Sequence, residues 1–111
     1  MATRPETLAF LLDQLGALPG LRTRRMFGEY CVYLHEKPAA FVCDDQLYVK
    51  TTDAGRALLN APAHGQPYPG AKPYFLLTAD AWEDADALRA LLLATAQALP
   101  APRPRTRRST R

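Results

Sequence analysis

RRMFGEYCVYLHEKPAAFVCDDQLYVK, residues 24–50, decides how this chain folds. Three runs that begin in it, Tyr30–His35, Ala39–Cys43 and Leu47–Thr51, are rich in aromatic, β-branched and other apolar side chains. Glu36-Lys37-Pro38 and Asp44-Asp45 separate them. Aromatic and branched side chains suit a pleated, half-buried surface, and Asp and Pro accept turn backbone, so the stretch predicts successive antiparallel strands. A further strand over Arg22–Phe27 precedes them, with Gly28 as a bend or bulge.

Two registers fit the central hairpin. A two-residue turn pairing His35 with Pro38 sets Val32 opposite Phe41 and Leu34 opposite Ala39. Tyr30, Val32, Leu34, Phe41 and Cys43 then share a face and Cys31 points away. A three-residue loop at 36–38 instead sets Cys31 opposite Cys43, because each residue of slip exchanges the faces.

Outward from the strands, Leu8, Leu11, Leu12 and Leu15 recur at helical spacing and make one apolar stripe. Thr3-Arg4-Pro5-Glu6 has the spacing of a capping box for that helix, and Gly16 is its expected stop. Thr52 or Asp53 can cap a short helix through Leu58 and Leu59, closed by Pro62. Residues 60–73, with four prolines and two glycines, read as a long loop, and Tyr74–Thr78 as a last strand. Asp80 with Glu83 signals the start of the longest helix, whose apolar face is Leu88, Leu91, Leu92, Thr95, Ala96 and Leu99. Asp84 and Asp86 sit early in it, where the helix dipole favours negative charge.

The expected fold is therefore α+β, a mainly antiparallel sheet of about five strands flanked by helices, in the order α-β-β-β-β-α-β-α. Its 111 residues suffice for one domain. Residues 1–100 carry nine Lys/Arg and eleven Asp/Glu, a net −2, whereas 101–111 carry five arginines and no acid, a net +5. That division sets the expected domain at 1–100 and a disordered basic tail at 101–111. With no secretory signal or long apolar run, a soluble cytoplasmic protein is expected. Two cysteines, Cys31 and Cys43, fit a reducing compartment.

Residues of catalytic type do not form a catalytic pattern. Cys31 and His35 on one strand lie roughly 13 Å apart at about 3.3 Å per residue, too far for a nucleophile–base pair. His35 and His64 lack zinc spacing, and Asp44-Asp45 is better explained as a turn than as a metal pair. Gly28, Gly65 and Gly70 spell no phosphate loop, and Glu83, Asp84 and Asp86 are helix-start residues rather than paired hydrolytic acids. No enzyme, metal or cofactor is expected. Arg22, Arg24 and Arg25 read as the charged solvent side of an edge strand, with a basic strip for nucleic acid as the alternative.

Arg25-Met26-Phe27-Gly28, Leu47-Tyr48-Val49-Lys50 and the Tyr68–Phe75 segment, followed by an amphipathic helix, resemble the N-terminal domain of the TfoX/Sxy family over roughly Leu8 to Leu99. The resemblance implies an α+β domain of a cytoplasmic bacterial protein with no established catalytic residues or cofactor. In full-length members a C-terminal domain follows, and the protein assists transcription of competence genes alongside the cyclic-AMP receptor protein. Residues 101–111 are too few for that second domain, so a stand-alone domain acting by protein contact, in transcriptional or competence-related regulation, is the expectation. The family often has glycine where this chain has Glu29, Cys31 and Glu36.

Arg25, Phe27, Tyr48, Tyr68 and Tyr74 are the candidate interaction surface. Arg103, Arg105, Arg107, Arg108 and Arg111 are the candidate nucleic-acid contacts, non-specific and salt-sensitive. Exposed strand edges make a homodimer a further expectation, and a small-molecule pocket beneath the 60–73 loop is a third reading.

Overall fold

Pro5 opens the first helix because its fixed φ suits the first turn, where its missing N–H has no helical partner. In the computed structural model, which describes residues 3–16, 18–26, 29–59, 62–67 and 69–100, this helix, α1, runs Pro5–Leu15 and buries Leu11 and Leu15. Gly16 ends it at φ 61°, a left-handed backbone that glycine adopts without penalty. The expected Thr3–Glu6 capping box does not form: Arg4 occupies the cap position and makes no side-chain cap bond. The sheet claims Thr3 instead. Its N–H donates to Glu29 Oε1 at 2.9 Å, and its hydroxyl accepts from the Asp45 N–H at 3.3 Å.

Strands β1 (Leu21–Met26), β2 (Glu29–Leu34), β3 (Lys37–Cys43) and β4 (Gln46–Val49) make the expected antiparallel meander. Helix α2 (Asp53–Ala57) follows, capped as expected by the Thr52 hydroxyl, which accepts from the Gly55 N–H at 2.9 Å. Then come β5 (Ala63–Gly65) and β6 (Tyr74–Leu77). The sheet order is β1-β2-β3-β4-β6-β5, antiparallel at every pairing. The class is α+β as expected, with six strands rather than about five. The additional strand, β5, lies in the segment read as loop; Ala-His-Gly has no strand pattern of its own and pairs because β6 offers it an edge.

The central hairpin takes neither expected register. Leu34 pairs with Lys37 around His35-Glu36, whose φ values are 53° and 65°, and a bulge between Val32 and Tyr33 then sets Val32 opposite Ala40 and Cys31 opposite Phe41. Two successive positive φ values match the right-handed twist of the flanking strands, which is why the turn closes so tightly. As a result Phe41 and Cys43 leave the face of Val32 and Leu34, and Cys31 does not oppose Cys43. Asp44-Asp45 makes a second turn of this kind, at φ 53° and 62°.

The single long helix expected after Thr78 is two, α3 (Ala79–Trp82) and α4 (Ala85–Ala98). Asp84, in extended conformation, accepts from the Ala87 N–H at 3.1 Å and so caps the long helix in place of Asp80. The break lets Trp82 turn inward to 2% exposure, its indole N–H donating to the Leu77 carbonyl at 3.1 Å. At the far end of α4, Lys37 Nζ donates to the carbonyls of Ala96 and Leu99 at 2.8 and 3.1 Å, supplying a cationic partner to the last turn.

The helices share one core with one face of the sheet. Val32, Val42, Leu47, Val49 and Phe75 pack there with Leu11, Leu15, Leu91 and Leu92. No helix among the described residues is long and apolar enough to cross a membrane.

Candidate functional site

Side chains alternate across a strand, so the residues one step out of phase with the core share the opposite face. Pairing sets Arg24, Cys31, Phe41, Tyr48 and Leu76 in one row across five strands of that face. Tyr74 lies two residues from Leu76, and its ring centre is 5.8 Å from that of Phe41. Tyr48 is 9% exposed; its hydroxyl donates to Gln46 Oε1 at 3.0 Å, and burial pushes its pKa up. A Cβ on Gly65 would meet the Tyr48 ring at 3.0 Å, so the glycine in β5 admits the tyrosine.

The expected interaction surface therefore divides. Tyr48 and Tyr74 come together on this second face. Arg25 lies on β1 at the sheet's edge, its guanidinium carbon 6.0 Å from the Tyr30 ring centre, out of phase with the tyrosine row. Phe27, Tyr68 and the arginines Arg103, Arg105, Arg107, Arg108 and Arg111 lie outside the described residues.

β1 is the end strand of the sheet, and Arg22, Arg24 and Arg25 on it are exposed. Arg22 bonds Glu36 at 2.8 Å and covers the Tyr33 ring at 4.5 Å, and this hydrogen bond holds the Glu36 carboxyl below the ordinary carboxylate range. Arg24 makes no ion pair among the described residues.

Both cysteines are buried free thiols. Burial pushes Cys31 up and lifts Cys43 to about 11, with Glu29 and Asp44 adding to the latter. A protonated thiol is a poor nucleophile at neutral pH. No group of three or more His, Cys, Asp or Glu among the described residues is arranged to hold a metal ion.

At the opposite end of the sheet from β1, two adjoining clefts share Thr51, Lys72 and Pro73 as walls. One, of about 470 Å³, also has Lys50 and Tyr74; the other, of about 490 Å³, has Arg56 and His64. Arg56 lies 5.2 Å from the centre of the Phe75 ring and His64 5.4 Å from it. Sequence reasoning marks Tyr74 and expects a small-molecule pocket beneath the 60–73 loop, which supplies His64, Lys72 and Pro73 to these clefts. The cleft residues come from the segment just after β4, from α2, from β5 and from the approach to β6, and no spacing along the chain announces that they meet.

An α+β domain with helices packed on one face of an antiparallel sheet, and a second face carrying Phe41, Tyr48 and Tyr74, is the class defined by this arrangement. The profile of the TfoX N-terminal domain matches residues 13–99. A protein of Spirochaeta aurantia, described as an uncharacterized 12.7 kDa protein in the trpE 5′ region, is 48% identical over 105 residues, covering 95% of this chain and 90% of that protein. The chain belongs to the TfoX N-terminal domain family. Neither description names an enzymatic activity.

Proposed function

We propose that this chain is a non-enzymatic contact domain that binds an extended acidic segment of a protein partner along the outer edge of β1. The observation that carries the reading is the edge itself: six residues of strand with three exposed arginines and no acid. Alternate residues of an edge strand present unpaired N–H and C=O groups outward, and an added strand satisfies them. Opposite charges placed across from one another contribute roughly 0.2–1 kcal/mol per pair, and like charges oppose pairing. A second copy aligned along β1 would set Arg22 opposite Arg25, or Arg24 opposite Arg24, so the edge favours an acidic partner over itself. In a TfoX-type domain such contacts would serve transcriptional or competence-related regulation in the cytoplasm, with residues 1–100 as the contact unit.

A photo-crosslinking residue at Thr23 tests this. The expected product is one protein joined through an acidic, extended segment, and Arg22→Glu, Arg24→Glu and Arg25→Glu together abolish it. Absence of any macromolecular product, or a product indifferent to the three reversals, removes the reading.

The arginine content of 101–111 favours a second reading, a nucleic-acid accessory role through the tail. DNA affinity measured with and without residues 101–111 across a salt series separates the two, and equal binding by both forms eliminates the tail.

A further inference from the structure

The paired clefts at the β4/β6 end carry a charge arrangement that the contact reading does not use. Lys50, Arg56 and Lys72 line them, and none of the three makes an ion pair among the described residues. No acidic residue among those described lines either cleft. Like charges gathered on the walls of one concavity repel each other and concentrate positive potential within it.

The fold holds this arrangement in place. Phe75, fully buried between β4 and β5, is the common support of Arg56 and His64. A cation over a ring face is attracted by the ring's quadrupole, which orders Arg56 before any ligand arrives. Lys50 follows directly on β4, where its N–H donates to the Ala39 carbonyl at 2.9 Å, so its backbone is fixed too. Thr51, which carries a hydroxyl, lines both clefts beside these cations. Cations and neutral donors brought from two sides of one sheet end suit a tetrahedral oxyanion, whose oxygens accept from several directions at once.

We propose that these clefts form a binding site for a small phosphate-bearing molecule, with Arg56 and Lys72 as the principal charge partners and Lys50 and Thr51 completing the shell. Their volumes leave room for more than the phosphate group alone.

The test is an amide-resolved NMR titration of the full chain with inorganic pyrophosphate, against sodium chloride at matched ionic strength and against citrate. The expected result is saturable shifts confined to residues 50–56 and 63–74, with affinity at least tenfold weaker in Arg56→Gln/Lys72→Gln. Lys72→Gln alone, at an exposed loop position, serves if the double variant does not fold. Non-saturating shifts, shifts spread over the surface, or unchanged affinity in the variants overturn the site. Citrate binding as tightly as pyrophosphate overturns the phosphate assignment, and a thymidine oligonucleotide binding through the same amides tenfold more tightly than pyrophosphate overturns the small-molecule assignment.

Discussion

Glu29 ties Thr3 to the sheet: one carboxylate oxygen accepts the Thr3 N–H at 2.9 Å while the other accepts the Asp44 N–H at 3.0 Å. One side chain therefore joins the segment before α1 to the β3–β4 turn. Glu29→Ala is expected to cost about 1–2 kcal/mol, the scale of hydrogen bonds to a charged acceptor that is partly solvated. Urea unfolding measures it, and a midpoint unchanged from the parent shows the latch to be inert.

Asp45 sets part of the acid limb of stability. The Arg4 backbone N–H, at 2.9 Å, holds its carboxyl below the ordinary aspartate range, helped by the Thr7 hydroxyl and the Arg4 guanidinium. A folded-state pKa below the unfolded one gives stabilisation that is complete above the unfolded value of about 3.9 and lost as pH falls through the folded value. The stability gap between the parent and Asp45→Asn should be constant from about pH 7 to 5. It should then narrow below about pH 4. Thermal melts across that range check it, and a gap that widens on acidification contradicts the assignment.

Cys31 and Cys43 are expected to react slowly with a disulfide reagent at pH 8 while the chain is folded, and promptly once guanidinium exposes them. Both thiols are buried and both pKa values are raised, so little thiolate is present and access is poor. Native Cys31 reacting at the rate of a free thiol would restore it as a candidate nucleophile.

The His35-Glu36 turn carries side chains where the backbone favours glycine or asparagine. His35→Asn with Glu36→Gly gives up the exposed, solvent-screened Arg22 pair and the packing of the His35 ring near Gly20. The double variant should melt about 2–5 °C higher. A lower melting temperature would mean that the Arg22–Glu36 bond, rather than the turn backbone, sets this hairpin.

Patterns local to the chain are legible in the sequence. The leucine stripe marks α1, Thr52 marks the start of α2, and the aromatic and branched runs mark β2 to β4. What is illegible there depends on partners distant along the chain. Thr3 has the spacing of a helix cap, yet Glu29 and Asp45 compete for it and win. Ala63–Gly65 becomes a strand only against β6, and the Val32/Tyr33 bulge follows from a turn that positive φ values close without glycine. The candidate sites show the same division. Tyr48 and Tyr74 stand out as aromatic residues in strand-like runs, whereas Arg56 and His64 acquire meaning only from sharing the Phe75 ring.

Trp82 is the chain's single tryptophan, and it sits at the seam where α1 meets the rest of the fold. Its carbonyl accepts from Gln14 at 2.6 Å, and its ring lies 6.5 Å from that of Phe10. The molecule thus carries its own optical gauge of that seam. Blue-shifted emission should accompany a docked first helix and redden when that helix lifts away, even while the strands stay paired, so fluorescence and amide-region circular dichroism together can time the two events separately.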